Sequence, residues 1–140
     1  MTRARRDRLA GPWRVRVEEG SMLPAIAPGD WLLVDPTTSR WPKPGSVVVF
    51  HEPDGGALAV KRVAARGGER VAFADGFLVM APDEAWLIAD ASTAATATAG
   101  YGPPIDSTRF GPVASSQLVG RVWFRYGPLG RIGRIPPKSG

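Results

Sequence analysis

The 140-residue chain contains no cysteine and only one histidine, His51. The first absence excludes a disulfide scaffold, a thiol nucleophile and a zinc centre built on thiolates, and it leaves the redox compartment open. The second leaves a serine hydrolase of the Ser-His kind one candidate base. No metal site and no cofactor is expected. Also missing is any run of about 18 to 20 apolar residues, the length a spanning helix needs. The arginine-rich start is followed by no apolar stretch of the secretory-leader type. The expected location is therefore cytoplasmic or peripheral at a membrane, without a transmembrane helix. Helical periodicity is nearly absent, and there is no internal repeat.

What is present in quantity is strand and turn chemistry, with 17 glycines and 14 prolines. Trp13 to Glu18 (WRVRVE) alternates strictly, with Trp13, Val15 and Val17 on one face and Arg14, Arg16 and Glu18 on the other, as in a half-buried strand. Further strand-like runs lie at 30–35, 46–50, 57–64, 70–73, 77–80, 85–89 and 118–126. Turn signals such as Lys43-Pro44-Gly45, Asp54-Gly55-Gly56 and Ala74-Asp75-Gly76 separate them. The pattern predicts a mostly β protein of coiled antiparallel sheets forming a barrel or sandwich core, with little helix. A single turn over Met22 to Ile26 is the one helical candidate, because Pro24 limits it. Residues 89–104 (ADASTAATATAGYGPP) carry few large apolar groups and are expected to form a long loop.

The length suits one domain. The expected division is a basic flexible tail over 1–12, a single β-rich domain over 13–126 and a C-terminal tail over 127–140. Lysine and arginine number 18 against 13 acids, a net charge of +5, and Arg3, Arg5, Arg6 and Arg8 crowd the first ten residues. Such a tail keeps a protein soluble, or draws it to anionic lipid or nucleic acid.

Two residues stand out chemically. Ser21 follows Gly20 at a strand end, where backbone can approach a reacting carbonyl and a hydroxyl is presented. On its own, Gly-Ser is equally an ordinary turn. Lys61 is more informative: alternation along ALAVKRVA places it on one face with Ala57, Ala59 and Val63, among small apolar side chains. Burial there would disfavour the ammonium and lower its pKa, letting the amine take a proton from a serine. A solvent-exposed lysine at a sheet edge is the competing reading of the strand.

Three ordered motifs decide between these readings. Residues 18–36 (EEGSMLPAIAPGDWLLVDP) resemble the nucleophile motif of type I signal peptidases. Residues 43–53 and 57–71 (KPGSVVVFHEP, ALAVKRVAARGGERV) resemble the segment that leads to the family's lysine-arginine pair. Residues 105–122 (IDSTRFGPVASSQLVGRV) resemble its late aspartate-serine-arginine box. The resemblance implies a Ser-Lys dyad peptidase in which Ser21 is the nucleophile and Lys61 the general base. It also implies that Gly20, Met22 and Pro24 shape the substrate groove and oxyanion site, and that Arg62, Asp106, Ser107 and Arg109 support them. Its partner would be a precursor protein bound as an extended strand and cut after small residues to remove a leader. Peripheral membrane contact would be compatible with this, and nucleic acid is not expected. The short chain and Arg125-Tyr126-Gly127-Pro128 are similar to the branch that matures nickel-type superoxide dismutase.

The chain departs from the family pattern at several positions. Glu19 stands where many relatives have a second serine, and Ala89-Asp90-Ala91 replaces Gly-Asp-Asn. Pro104 occupies the place of a lysine-bonding serine, and Thr108 precedes the displaced Arg109. The readings that compete with the peptidase are a Ser-His enzyme using His51, and a non-catalytic β-barrel that binds peptide or single-stranded nucleic acid.

Overall fold

A computed structural model describes residues 13–138. In chain order the strands are β1 (Trp13–Arg16), β2 (Trp31–Asp35), β3 (Val47–His51), β4 (Leu58–Arg66), β5 (Arg70–Phe73), β6 (Gly76–Val79) and β7 (Glu84–Ile88). Two short helices follow, α1 (Thr93–Thr98) and α2 (Ser107–Phe110), and then β8 (Val113–Ala114) and β9 (Leu118–Gly127). Seven strands form one antiparallel sheet in the order β1-β2-β9-β3-β4-β7-β8, curled into a half-barrel, while β5 and β6 make a separate two-stranded ribbon. The mostly β class with little helix, read from turn spacing and β-branched runs, is what the structure shows.

The run Ser46 to Phe50 does not alternate because β3 is buried on both faces. Val47 and Val49 enter one apolar cluster with Trp13, Ile26, Leu32 and Val34, whereas Val48 and Phe50 enter a second with Trp41, Val63 and Leu87. A strand covered on both sides reads as a continuous apolar run, and each such side chain contributes about 1.5–3 kcal/mol through burial. A third cluster of Ala65, Met80 and Trp86 seats the ribbon through Val71 and Leu78. Where β9 crosses β2, a Cβ on Gly120 would lie 2.3 Å from the Asp35 carbonyl oxygen, so only glycine allows that approach.

Two expectations need correction. The segment 89–104 is not wholly loop, since α1 forms inside it, N-capped by Ser92 Oγ, which accepts from Ala95 N–H at 3.1 Å. Alanine is the strongest helix former, and the threonine hydroxyls at 96 and 98 bond back to carbonyls of their own helix. The second correction concerns the C-terminal tail. From residue 128 the chain turns back, Gly133 and Arg125 exchange two backbone hydrogen bonds, and Ile135 packs on the first cluster. Arg131 reaches the buried Asp30, and the Pro136 carbonyl accepts from Arg62. These anchors are ionic and backbone contacts, which apolar patterning does not register. The basic tail expected at 1–12 lies outside the described residues. Among the described residues no helix is long and apolar enough to cross a membrane.

Candidate active site

The site begins with an excursion between β1 and β2 that closes on itself. Val17 N–H donates to the Asp30 carbonyl at 2.9 Å, and Gly29 N–H donates to the Val17 carbonyl at 2.8 Å. Inside it a single turn runs from Gly20 to Ile26, held by Leu23 N–H to Gly20 O at 3.1 Å and Ile26 N–H to Met22 O at 3.0 Å. Ser21 opens this turn.

Asp30, 1% exposed, sits at the base of the turn. Its carboxylate accepts from Ala27 N–H at 2.8 Å, from Arg125 Nη1 at 3.1 Å and from Arg131 Nε at 2.9 Å. Burial pushes this carboxyl up, but the Arg131 and Ala27 hydrogen bonds and the charges of Arg131 and Arg125 outweigh it and hold the pKa below the ordinary value. Arg125 Nη1 also donates to the Ala25 carbonyl at 2.6 Å, which fixes the far side of the turn.

Lys61 arrives from β4, opposite Val48 of β3, and is 3% exposed. Its Nζ donates to Ser21 Oγ at 3.0 Å and to its neighbour's carbonyl, Val60 O, at 3.2 Å. Desolvation lowers the Lys61 pKa, and the carboxylates of Glu19, Glu52 and Asp106 oppose that shift. In the neutral amine the contact reverses, with the Ser21 hydroxyl donating to the Nζ lone pair. That is the geometry for proton transfer from hydroxyl to amine. Of the expected row of small apolar neighbours, Ala59 and Val63 share the second cluster's side of β4, whereas Ala57 is exposed.

Both groups line an open groove of about 990 Å³, walled by Val15 and Val17 on one side and Leu58 and Val60 on the other. Two free strand edges meet there. Among the described residues β1 ends the sheet, and β7 pairs with β4 only from Arg62 onward, leaving the outer edge of residues 58–61 without a strand partner.

The remaining predicted residues divide into three groups. Gly20 is buried, and a Cβ there would sit 3.0 Å from both Leu23 Cδ1 and Tyr101 Cδ2. Met22, 1% exposed, lines the groove, whereas Pro24 is exposed and does not line it, contrary to expectation. The second group lies behind the pair. Arg62 forms a buried ion pair with Asp90 at 2.7 Å, and the adjacent Ala91 N–H donates to the Ser21 carbonyl at 3.0 Å. Asp106 caps α2 and accepts from Ala89 N–H at 2.8 Å, while Ser107 Oγ accepts from Leu87 N–H at 2.9 Å. The third group is Arg109 alone, which is exposed and makes no side-chain hydrogen bond among the described residues, so the displaced arginine does not join this support. His51 turns to its own hairpin, its Nδ1 2.9 Å from the Gly56 carbonyl oxygen.

Sequence reasoning missed Glu52 and Tyr101. Glu52 lines the groove, and its pKa is raised by desolvation and by the charges of Glu19 and Asp54, with Lys61 opposing. Tyr101 lies against Gly20 from a segment with no strand or helix pattern, so only the folded chain reveals the contact.

The Ser21 hydroxyl, bonded to a buried amine in an open groove, is an arrangement that can supply a nucleophile and a base. The family model described as signal peptidase, peptidase S26, matches residues 8–89, more than half the chain, and the protein belongs to that peptidase family. The matched span contains both Ser21 and Lys61 and stops before the late box at 105–122. No curated protein matches the chain.

Proposed function

We propose that the protein is a serine endopeptidase that removes an N-terminal leader from a precursor, with Ser21 as nucleophile and Lys61 as general base. The observation that carries this reading is the 3.0 Å contact between Lys61 Nζ and Ser21 Oγ at a lysine that is 3% exposed. Neutral Lys61 takes the Ser21 proton as Oγ attacks the scissile carbonyl, and then delivers it to the leaving amine. Water attacks the acyl-enzyme by the same route in reverse. The Ser21 backbone N–H, which has no backbone partner among the described residues, donates to the oxyanion. The substrate lies as an added strand between β1 and residues 58–61 of β4. Within the family, the nickel-type superoxide dismutase precursor is the proposed substrate, supported by the likeness of Arg125-Tyr126-Gly127-Pro128 to that branch.

Incubating leader-bearing precursor with the wild type and with Ser21→Ala, Lys61→Ala and His51→Ala variants, followed by mass spectrometry of the product, tests the roles. The first two variants lose about 10³-fold or more in rate and the third stays within about threefold of wild type. Activity retained in Lys61→Ala and lost in His51→Ala overturns the assignment.

A further inference from the structure

A second cavity, of about 620 Å³, opens where the start of β3, Arg62 of β4 and residues 121–124 of β9 meet the returning segment 133–135. Its charged lining is of one sign: Arg62, Arg121 and Arg134, with no carboxylate. Arg62 is neutralised by Asp90, whereas Arg121 and Arg134 are exposed and make no ion pair among the described residues. Ser46, 8% exposed, also lines the cavity, and its buried Oγ has no hydrogen-bond partner. An unpaired buried hydroxyl is costly unless something supplies the missing bond. Trp123, 45% exposed, provides an apolar wall.

The cavity shares one face of β3 and β4 with part of the groove lining, while Lys61 belongs to the other face. On β3 Val49 lines the groove and Val47 the cavity; on β4 Val60 lines the groove and Arg62 the cavity. Residues two apart on a strand share a face and are about 7 Å apart, the reach of two residues of extended peptide. The groove carries charges of both signs, Arg14, Arg16 and Lys61 with Glu18, Glu19 and Glu52, whereas the cavity carries arginine alone.

We propose that this cavity is an exosite for an acidic side chain of the precursor, which Arg121 and Arg134 pair with, so that Arg121 and Arg134 are specificity-determining residues. This rests on the peptidase reading for its substrate but not for its binding chemistry. The concave shape, and a position two residues along β3 and β4 from residues of the groove, favour a peptide over a lipid headgroup as occupant. The acidic residue belongs within a few positions of the scissile bond, and its pairing contributes to binding and therefore to KM.

The test is a scan of fluorogenic peptides in which glutamate replaces glutamine at successive positions around the cut. It is read as the Glu/Gln ratio of kcat/KM for wild type and for the double variant Arg121→Glu, Arg134→Glu. Binding of the same peptides to Ser21→Ala, followed by fluorescence anisotropy, provides a readout independent of turnover. The expected result is one or two adjacent positions where glutamate is preferred about tenfold in wild type, through KM, and where the double variant prefers lysine instead. A flat scan in both assays, or a glutamate preference that survives the charge reversal, overturns the exosite. Sedimentation with phosphatidylglycerol vesicles that is lost in the double variant, together with a flat scan, assigns the cavity to lipid and also overturns it. If no peptide is cut but the anisotropy preference appears and reverses, the exosite stands and the peptidase reading falls.

Discussion

Replacing Lys61 by methionine should abolish activity and stabilise the fold at the same time. Methionine keeps an unbranched side chain of similar length, so the packing beside Ala59 and Val63 is largely preserved. The substitution removes two hydrogen bonds, to Ser21 Oγ and Val60 O. Val60 faces Val49 in a non-hydrogen-bonded pair, so its carbonyl lies on the outer edge of β4 where water can replace the lost donor, and the loss is about 1 kcal/mol. Against it stands the cost of holding an amine, charged in the unfolded chain, at 3% exposure. That cost amounts to several kcal/mol for a buried ion and is only partly offset by nearby carboxylates. The balance is a gain of about 1–3 kcal/mol, or about 3–9 °C in Tm for a chain of this size.

The sign depends on pH. The folded pKa of Lys61 lies below the ordinary lysine value of 10.5, so between the two the unfolded chain binds more protons and wild-type stability rises with pH. The penalty is complete below the folded pKa and gone above the unfolded one. Calorimetry or thermal melts of both proteins from acid to alkaline pH should show the variant melting higher at the acid end. The gap should close towards pH 10.5 and reverse slightly there. A variant that melts lower at acid pH, or a gap that widens with pH, would refute the claim that burial is what makes this lysine a base.

Three further outcomes follow from the same geometry. Glu19→Gln removes the largest charge opposing the Lys61 shift, so the acid limb of the pH–rate profile should move to lower pH, and movement to higher pH counts against the assignment. Asp90→Ala leaves Arg62 buried without its carboxylate, and chemical denaturation should report a loss of about 3–5 kcal/mol. Gly20→Ala places a methyl 3.0 Å from Leu23 and Tyr101, so steady-state kinetics should show kcat falling while Tm drops by only a few degrees, since the ring edge can give.

Much of this architecture was legible in the sequence. The 70–73 strand was bounded to the residue, and the other seven long runs to within one or two, because β-branched runs and Gly/Pro turns are local signals. The two-residue β8 escaped because it pairs with only Glu84 and Ala85 and has no periodicity of its own. Ser21 and Lys61 were singled out from a turn, a strand face and ordered motifs; their 3.0 Å contact spans 40 residues and no spacing rule yields it. The contacts that hold the pair were the least visible. Ala91 N–H on the Ser21 carbonyl is a backbone bond from a run without pattern, and Asp30–Arg131 joins residues 101 apart in the chain.

The strand order has a consequence for how the protein comes into being. β9, the last strand among the described residues, lies between β2 and β3 and is the strand that joins, within the sheet, the half that carries the serine turn to the half that carries the lysine. A ribosome that has released only the first 117 residues has made two half-sites with no seam between them. Synthesis runs from the N-terminus, and pairings between distant strands form slowly. Within the sheet, Ser21 and Lys61 are therefore brought into register only when β9 is inserted, which makes the pairing of that strand the step that assembles the site.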